Sequence, residues 1–218
     1  MSLALSLATE SLIARPSGAL FWPERQLLCV SDLHLGKSER LARRAGALLP
    51  PYETRETLLR LEAEIEATGA KSVICLGDSF DDAASLDGLD EADRLWLTRL
   101  IAGRDWIWIA GNHDAGPLEI AGSHRAEVLL GGLVFRHIAE PGAQGEVSGH
   151  YHPKARLAGK VWRCFLADRA RLILPAFGTY TGGLWCHDPA LTGLLQPGAL
   201  AILCGGAVAR AIPMPRRA

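Results

Sequence analysis

The stretch Lys71-Ser72-Val73-Ile74-Cys75-Leu76-Gly77-Asp78 reads as a buried strand, an apolar run with β-branched residues at its centre that stops on a glycine and an aspartate. Two other stretches end in the same way. Gln26 to Val30 runs into Ser31-Asp32-Leu33-His34, and Asp105 to Ala110 runs into Gly111-Asn112-His113-Asp114. Between them lie two helical patterns. Tyr52 to Thr68 follows Pro50-Pro51, carries Leu58, Leu61 and Ile65 at helical spacing and stops at Gly69, and Glu91 to Ile101 stops near Gly103. The order strand, helix, strand, helix, strand puts a polar motif at the carboxyl end of each strand, where open α/β sheets gather their ligand sites.

Outward from this core, Ala19 to Trp22 and Gln26 to Val30 flank Pro23-Glu24-Arg25 and predict a hairpin. After His113 the pattern changes. Val128 to Leu130, Leu133 to Arg136, Gly145 to Ser148, Val161 to Leu166, Leu172 to Leu174, Ala199 to Cys204 and Ala207 to Ile212 are short strand-like runs separated by Gly and Pro. They predict a mainly antiparallel second sheet. The expected fold class is α/β, an αββα sandwich of two mixed sheets flanked by helices. With no linker, repeat or low-complexity segment, residues 1–218 are expected to form one domain.

At 218 residues, 49% hydrophobic and 22% charged, the chain has ample material for a core. A net charge of −1 provides no global attraction to nucleic acid or anionic membrane. Cys29, Cys75, Cys164, Cys186 and Cys204 are isolated, with no CxxC spacing, so they predict reduced thiols in the cytoplasm. Met1 to Glu10 has no basic n-region, which argues against a signal peptide, and no apolar run is long enough to span a membrane.

Chemistry is concentrated in five places: Asp32-Leu-His34, Gly77-Asp78-Ser-Phe-Asp81, Gly111-Asn112-His113-Asp114, the isolated His137, and Gly149-His150-Tyr151-His152. Five of the seven histidines and the chain's single asparagine belong to this set. Such oxygen and nitrogen donors suit divalent metals, and their number suggests two ions. A pair about 3.5–4 Å apart can supply a nucleophilic hydroxide and neutralise charge on a phosphoryl group. Asp78 is the natural bridge between the ions, because Gly77 permits a sharp turn off the strand.

The series DxH, GDxxD, GNHD, H, GHxH resembles, in order and in full, the signature of the calcineurin-like metallophosphoesterase superfamily. The resemblance implies that Asp32, His34 and His152 hold one metal, that Asn112, His137 and His150 hold the other, and that Asp78 bridges them. It implies that His113 protonates the leaving oxygen or contacts phosphate, and that the Asp81 carboxylate orients it. It also implies a hydrolase in which a metal-bridging hydroxide attacks phosphorus. Two divalent ions are expected, manganese first, with zinc or iron able to satisfy the same ligands.

Gly77-Asp-Ser-Phe-Asp-Asp82 lacks the arginine found at this place in the protein Ser/Thr phosphatases, which argues against a phosphoprotein substrate. Ser31 to Lys37, Gly149 to Pro153 and Pro175 to Gly183 resemble the bacterial ligase-associated metallophosphoesterase family (PdeM). That likeness implies a manganese-dependent phosphodiesterase or endonuclease linked to DNA repair, with DNA ligase and helicase-like proteins as partners. Two alternatives stand beside it: a UDP-diacylglucosamine-type pyrophosphohydrolase, for which Ala115 to Arg136 leaves little room for an acyl-binding cap, and a non-catalytic scaffold of the same fold. Candidate substrate contacts are Lys37, Arg40 and Arg44, with Arg43, on a basic cluster after the first motif, and Tyr151, which could stack on a base. His124 and His187 fall outside the pattern.

Overall fold

The structure, a computed structural model, describes residues 1–38, 40, 52–82, 84–114, 116 and 118–215. Among them two β-sheets pack face to face. The first has the order β1 (Leu3–Leu7), β2 (Glu10–Ala14), β3 (Leu20–Trp22), β4 (Leu27–Val30), β5 (Ser72–Cys75), β6 (Asp105–Ile109), β7 (Ser123–Arg125). Strands β1 to β4 pair antiparallel and β4 to β7 parallel. The β3–β4 hairpin turns at a 3₁₀ segment, Pro23–Arg25, as its proline predicts. The second sheet contains β8 (Glu127–Leu130), β9 (Leu133–Arg136), β10 (Glu146–Ser148), β11 (Lys154–Leu157), β12 (Lys160–Ala167), β13 (Arg171–Ile173), β14 (Leu200–Cys204) and β15 (Arg210–Pro213). Its order is β15-β14-β12-β13-β10-β9-β8, with β11 paired to β12.

Period-two alternation builds the layers. On β4, Leu28 and Val30 face the helices while Leu27 and Cys29 face the other sheet; on β5, Val73 and Cys75 oppose Ile74, and Leu76 just after the strand joins Ile74 on the inter-sheet side. Helix α1 (Glu53–Thr68) contributes Leu58, Leu61 and Ile65 to the helical side, and α2 (Ser85–Gly88) and α3 (Glu91–Ile101) contribute Leu86, Leu97 and Leu100. Helix α1 ends at Gly69, whose φ of 63° lets its N–H return to the Ile65 carbonyl. Helix α3 begins at Asp90, whose carboxylate accepts from the Ala92 amide. Phe165, Leu172, Leu174 and Ile202 close the inter-sheet core from the second sheet.

The outer face of the second sheet is covered differently. Cys164, Leu166, Ile173, Ala201 and Leu203 pack under Ala155, Cys186 and Leu191, the last on a single turn, α4 (Pro189–Thr192). The sandwich is thus fully helical on one flank and closed on the other by β11 and a short segment. All five cysteines are buried free thiols, and burial raises the pKa of each, to about 12 for Cys204. No helix among the described residues is long and apolar enough to cross a membrane.

The second sheet is mainly antiparallel, as expected, with one exception. Strand β10 pairs parallel with both β9 and β13. Residues 137–145 carry the chain back along the edge instead of turning it in a hairpin, so β9, β10 and β13 all end on the same side. Strands β1, β2, β7 and β11, and the short helices α2 and α4, carry no sequence expectation.

Candidate metal centre

The carboxyl ends of β4, β5 and β6 in one sheet, and of β9 and β10 in the other, open onto one edge of the sandwich. The motifs lie on the loops that leave these ends. Tight turns are required there. Nine described non-glycine residues have left-handed backbone, and five of them are Asp32, His34, Asp78, His150 and His152, with φ between 45° and 71°. Such a conformation costs L-residues roughly 1–3 kcal/mol and persists only where the surroundings impose it. Two glycines explain how the loops approach so closely. A Cβ at Gly111 would run into the amide nitrogen of Asp78, and one at Gly149 into the Ser31 hydroxyl.

Among the described residues three groups of donor atoms converge, two of them made up of candidate ligands and the third of His34, Asp81 and His113, whose donor atoms also lie within 4.8 Å of one another. Asp32, His34 and His152 bring one donor atom each within 4.8 Å of one another, and so do Asp78, His137 and His150. Asn112 joins the second group, its Oδ1 lying 3.0 Å from His137 Nε2. The groups adjoin, because the Asp32 carboxylate also accepts from the His150 amide (3.0 Å). Asp78 spans a different gap. Its Oδ1 accepts from the His113 amide (2.9 Å), and its Oδ2 lies 3.4 Å from His137 Nε2.

Ring orientation decides which nitrogens face inward. His34 Nδ1 donates to Asp81 Oδ1 (2.8 Å) and His137 Nδ1 donates to the Leu76 carbonyl (2.7 Å). Each imidazole therefore turns Nε2 into the cavity, the arrangement in which metal-ligating histidines are commonly held. Around His137 Nε2 stand Asn112 Oδ1, Asp78 Oδ2 and His150 Nδ1 (3.2 Å). His34 Nε2 meets His152 Nε2 at 3.4 Å. Asp32 Oδ1 is buried without a hydrogen bond of good geometry, although His152 Nε2 is 3.1 Å away. So many lone pairs turned toward one another call for cations between them, and the donor set fits divalent metals.

The charges point the same way. Burial raises the carboxyl pKa of Asp32 and Asp78, but His152 at the first and His137 at the second outweigh it, and both fall below the ordinary value. Burial pulls His137 down, and the Asp78 and Asp32 carboxylates more than restore it. His150 is lowered by burial and by the neighbouring His137.

Asp81 departs from its expected partner. Its carboxylate does not hold His113. It is buried against His34, Arg40 and Lys37 (3.8 Å), and despite burial the hydrogen bonds from His34 and Arg40 and the Lys37 charge keep its pKa near 2. His113 Nδ1 instead donates to the Asp81 backbone carbonyl (2.9 Å), and the exposed ring projects Nε2 to the mouth of the site. The loop turn at Asp81 serves both histidines at once, one through its side chain and one through its main chain. Arg40 and Lys37 lie at the site, with their charges already engaged by Asp81. Tyr151 packs edge-on against His150 and against the outer core. Arg43 and Arg44 lie outside the described residues.

Sequence reasoning assigned no role to Asp114. This buried carboxylate accepts from the amides of Asp78 (3.0 Å), Ser79 (2.7 Å), Phe80 (3.2 Å) and Gly111 (3.0 Å). It ties the loops after β5 and β6 together beneath the ligands. Burial and the neighbouring Asp78 charge raise its pKa, and the amides of Phe80, Ser79 and Gly111 oppose that rise. Its place as the fourth residue of Gly111-Asn-His-Asp was the available signal.

The sequence pattern described as calcineurin-like phosphoesterase matches residues 25–205. The crystal structure of Pseudomonas putida nuclease MPE is similar, with a TM-score of 0.73 and 26% sequence identity over 98% of this chain and 100% of that one. No curated protein matches the chain.

Proposed function

Because the chain belongs to the calcineurin-like phosphoesterases, and so to the metal-dependent enzymes that cleave phosphate esters, we propose that it is a binuclear phosphodiesterase acting on nucleic acid. One observation supports the binuclear part: two adjoining donor groups, each of two histidines and a carboxylate, with one inward Nε2 in each, that of His34 and that of His137, fixed by a hydrogen bond on the far side of its ring. Asp32, His34 and His152 would hold one ion, and Asn112, His137 and His150 the other, with Asp78 shared. Bound there, divalent ions would neutralise phosphoryl charge and acidify a water. Manganese suits this histidine, aspartate and asparagine set, and zinc or iron would satisfy the same donors.

His113 supplies the step that the ligands do not. Its Nδ1 is committed to the Asp81 carbonyl, so Nε2 is the atom available to give a proton to the departing oxygen. Asp81 orients His34 through its carboxylate. The likeness to a nuclease supports a phosphodiester substrate in nucleic acid. The link to DNA repair, and to ligase- and helicase-associated partners, rests on the resemblance of the Ser31 to Lys37, Gly149 to Pro153 and Pro175 to Gly183 segments. Isolated buried thiols suit the cytoplasm, and we read residues 1–218 as one domain.

The test is hydrolysis after chelation. Metal-stripped protein should cleave neither bis-p-nitrophenyl phosphate nor single-stranded DNA, and manganese should restore both activities. Turnover that survives complete chelation would sink the proposal.

A further inference from the structure

We propose that the cavity between Arg60 of α1 and Arg163 of β12 is a second phosphate site, which holds a non-scissile phosphodiester group of the nucleic-acid strand being cleaved. This rests on the nuclease reading and names how such a substrate is gripped. The cavity encloses about 470 Å³ and is lined by Arg60, Arg163, Lys160, Trp162, Ser17 and Gly205.

Two guanidinium groups converge there on one oxygen. Arg60 Nη2 donates to the Phe177 carbonyl, and Arg163 Nη1 reaches the Ala176 (3.2 Å) and Phe177 (3.4 Å) carbonyls. Lys160 adds a third cation, its Nζ 4.0 Å over the Trp162 ring. Among the described residues, the one carboxylate in an ion pair with either arginine is Glu56, 3.7 Å from Arg60 Nη1 with a side chain 58% exposed. Arg60 Nε is buried and donates to nothing. Burial lowers the pKa of both guanidinium groups, and the Arg163 charge lowers that of Arg60 further. Pinning a carbonyl takes one donor. Two half-buried arginines and a lysine around a cavity leave a surplus of positive charge and forked donors, the chemistry that takes a phosphate.

Strand direction places this cavity beside the metal centre. Strand β12 runs antiparallel to β13, and β14 antiparallel to β12, so the start of β12 and the end of β14 lie on the edge where β10 and β13 end. The peptide that both arginines hold is itself bonded to the first ligand loop. The Phe177 amide donates to the Ser31 carbonyl (2.7 Å), and the Gly178 amide donates to the Asp32 carbonyl (3.0 Å). One loop separates the two sites. A small diester has one phosphate and reaches only the metal centre; a strand has phosphates enough for both.

The test compares these two kinds of substrate on the manganese-loaded full chain, using Arg163→Gln and Lys160→Gln. Lys160→Gln breaks no hydrogen bond of the Phe177 loop, and so separates anion binding from loop support. Each variant should turn over bis-p-nitrophenyl phosphate within twofold of the parent. For a phosphorothioate single strand of about twelve nucleotides, each should raise Kd about threefold or more and reduce the log Kd against log salt slope by about 0.7. Equal loss on both substrates for both variants, or no change in strand binding or salt slope, overturns the second site. A parent protein that hydrolyses neither substrate overturns the phosphodiesterase reading instead; the strand-binding arm then still decides whether the cavity takes phosphate.

Discussion

The two sheets deliver their halves of the site by different routes. In the first, three neighbouring parallel strands, β4, β5 and β6, present Asp32 with His34, Asp78, and Asn112 with His113 in chain order. In the second, His137 and the His150 loop reach the same edge only because β10 lies parallel between β9 and β13 in an otherwise antiparallel sheet. Support differs as well. The first-sheet loops are bound together by Asp114, whereas His137 is held by a carbonyl of the opposite sheet, that of Leu76. The first sheet is the frame, and the second is fitted to it.

Metal stoichiometry puts that asymmetry under the most severe strain. Asp78→Asn, on the frame, should lose tight binding of both ions and at least about 10³-fold in turnover, as removal of a central catalytic group does. His152→Ala, on the fitted half, should lose one ion. Elemental analysis after gel filtration decides it, and two retained ions in the Asp78 variant would erase the distinction. Next in size is Asp114→Ala. Four buried amides would lose their acceptor, and at about 1–3 kcal/mol for a buried unsatisfied group, relieved in part by water, urea denaturation should show a loss of about 3 kcal/mol. A loss below about 1 kcal/mol would mean that the frame does not depend on this residue.

The smallest expected effect is at Asp81. Asp81→Asn should weaken metal affinity about 10–100-fold at the His34 position, since second-layer partners of ligands contribute on that scale. It should leave the leaving-group step intact, because His113 is held by a main-chain carbonyl that the substitution keeps. A changed pH-rate limb on the acid side, with metal affinity unaltered, would restore the carboxylate to His113.

The same contrast explains what was legible in the sequence. The first half was readable because helices of ordinary length separate its strands, so period and punctuation specify parallel pairing, and the bounds Glu91–Ile101 are those of the helix found. The direction of β10 was not. A connection as short as residues 137–145, without a helix, has the length of a hairpin loop, and only tertiary packing sends it back along the edge. Strands β1 and β2 were hidden because an edge ribbon of five-residue strands with small and polar residues carries little pattern. The residue types of the site were plain, but which atom of Asp81 meets which histidine depends on the path of one turn, and no spacing records it.

The left-handed residues of the ligand loops carry a consequence for descent. Asp32, His34, Asp78, His150 and His152 hold a left-handed backbone that costs L-residues stability. A lineage released from catalysis would gain stability by replacing them, and glycine or asparagine would be the first residues admitted, since these tolerate that backbone best. Relics of this fold should therefore be recognisable by glycine at those five positions before the surrounding strands change at all.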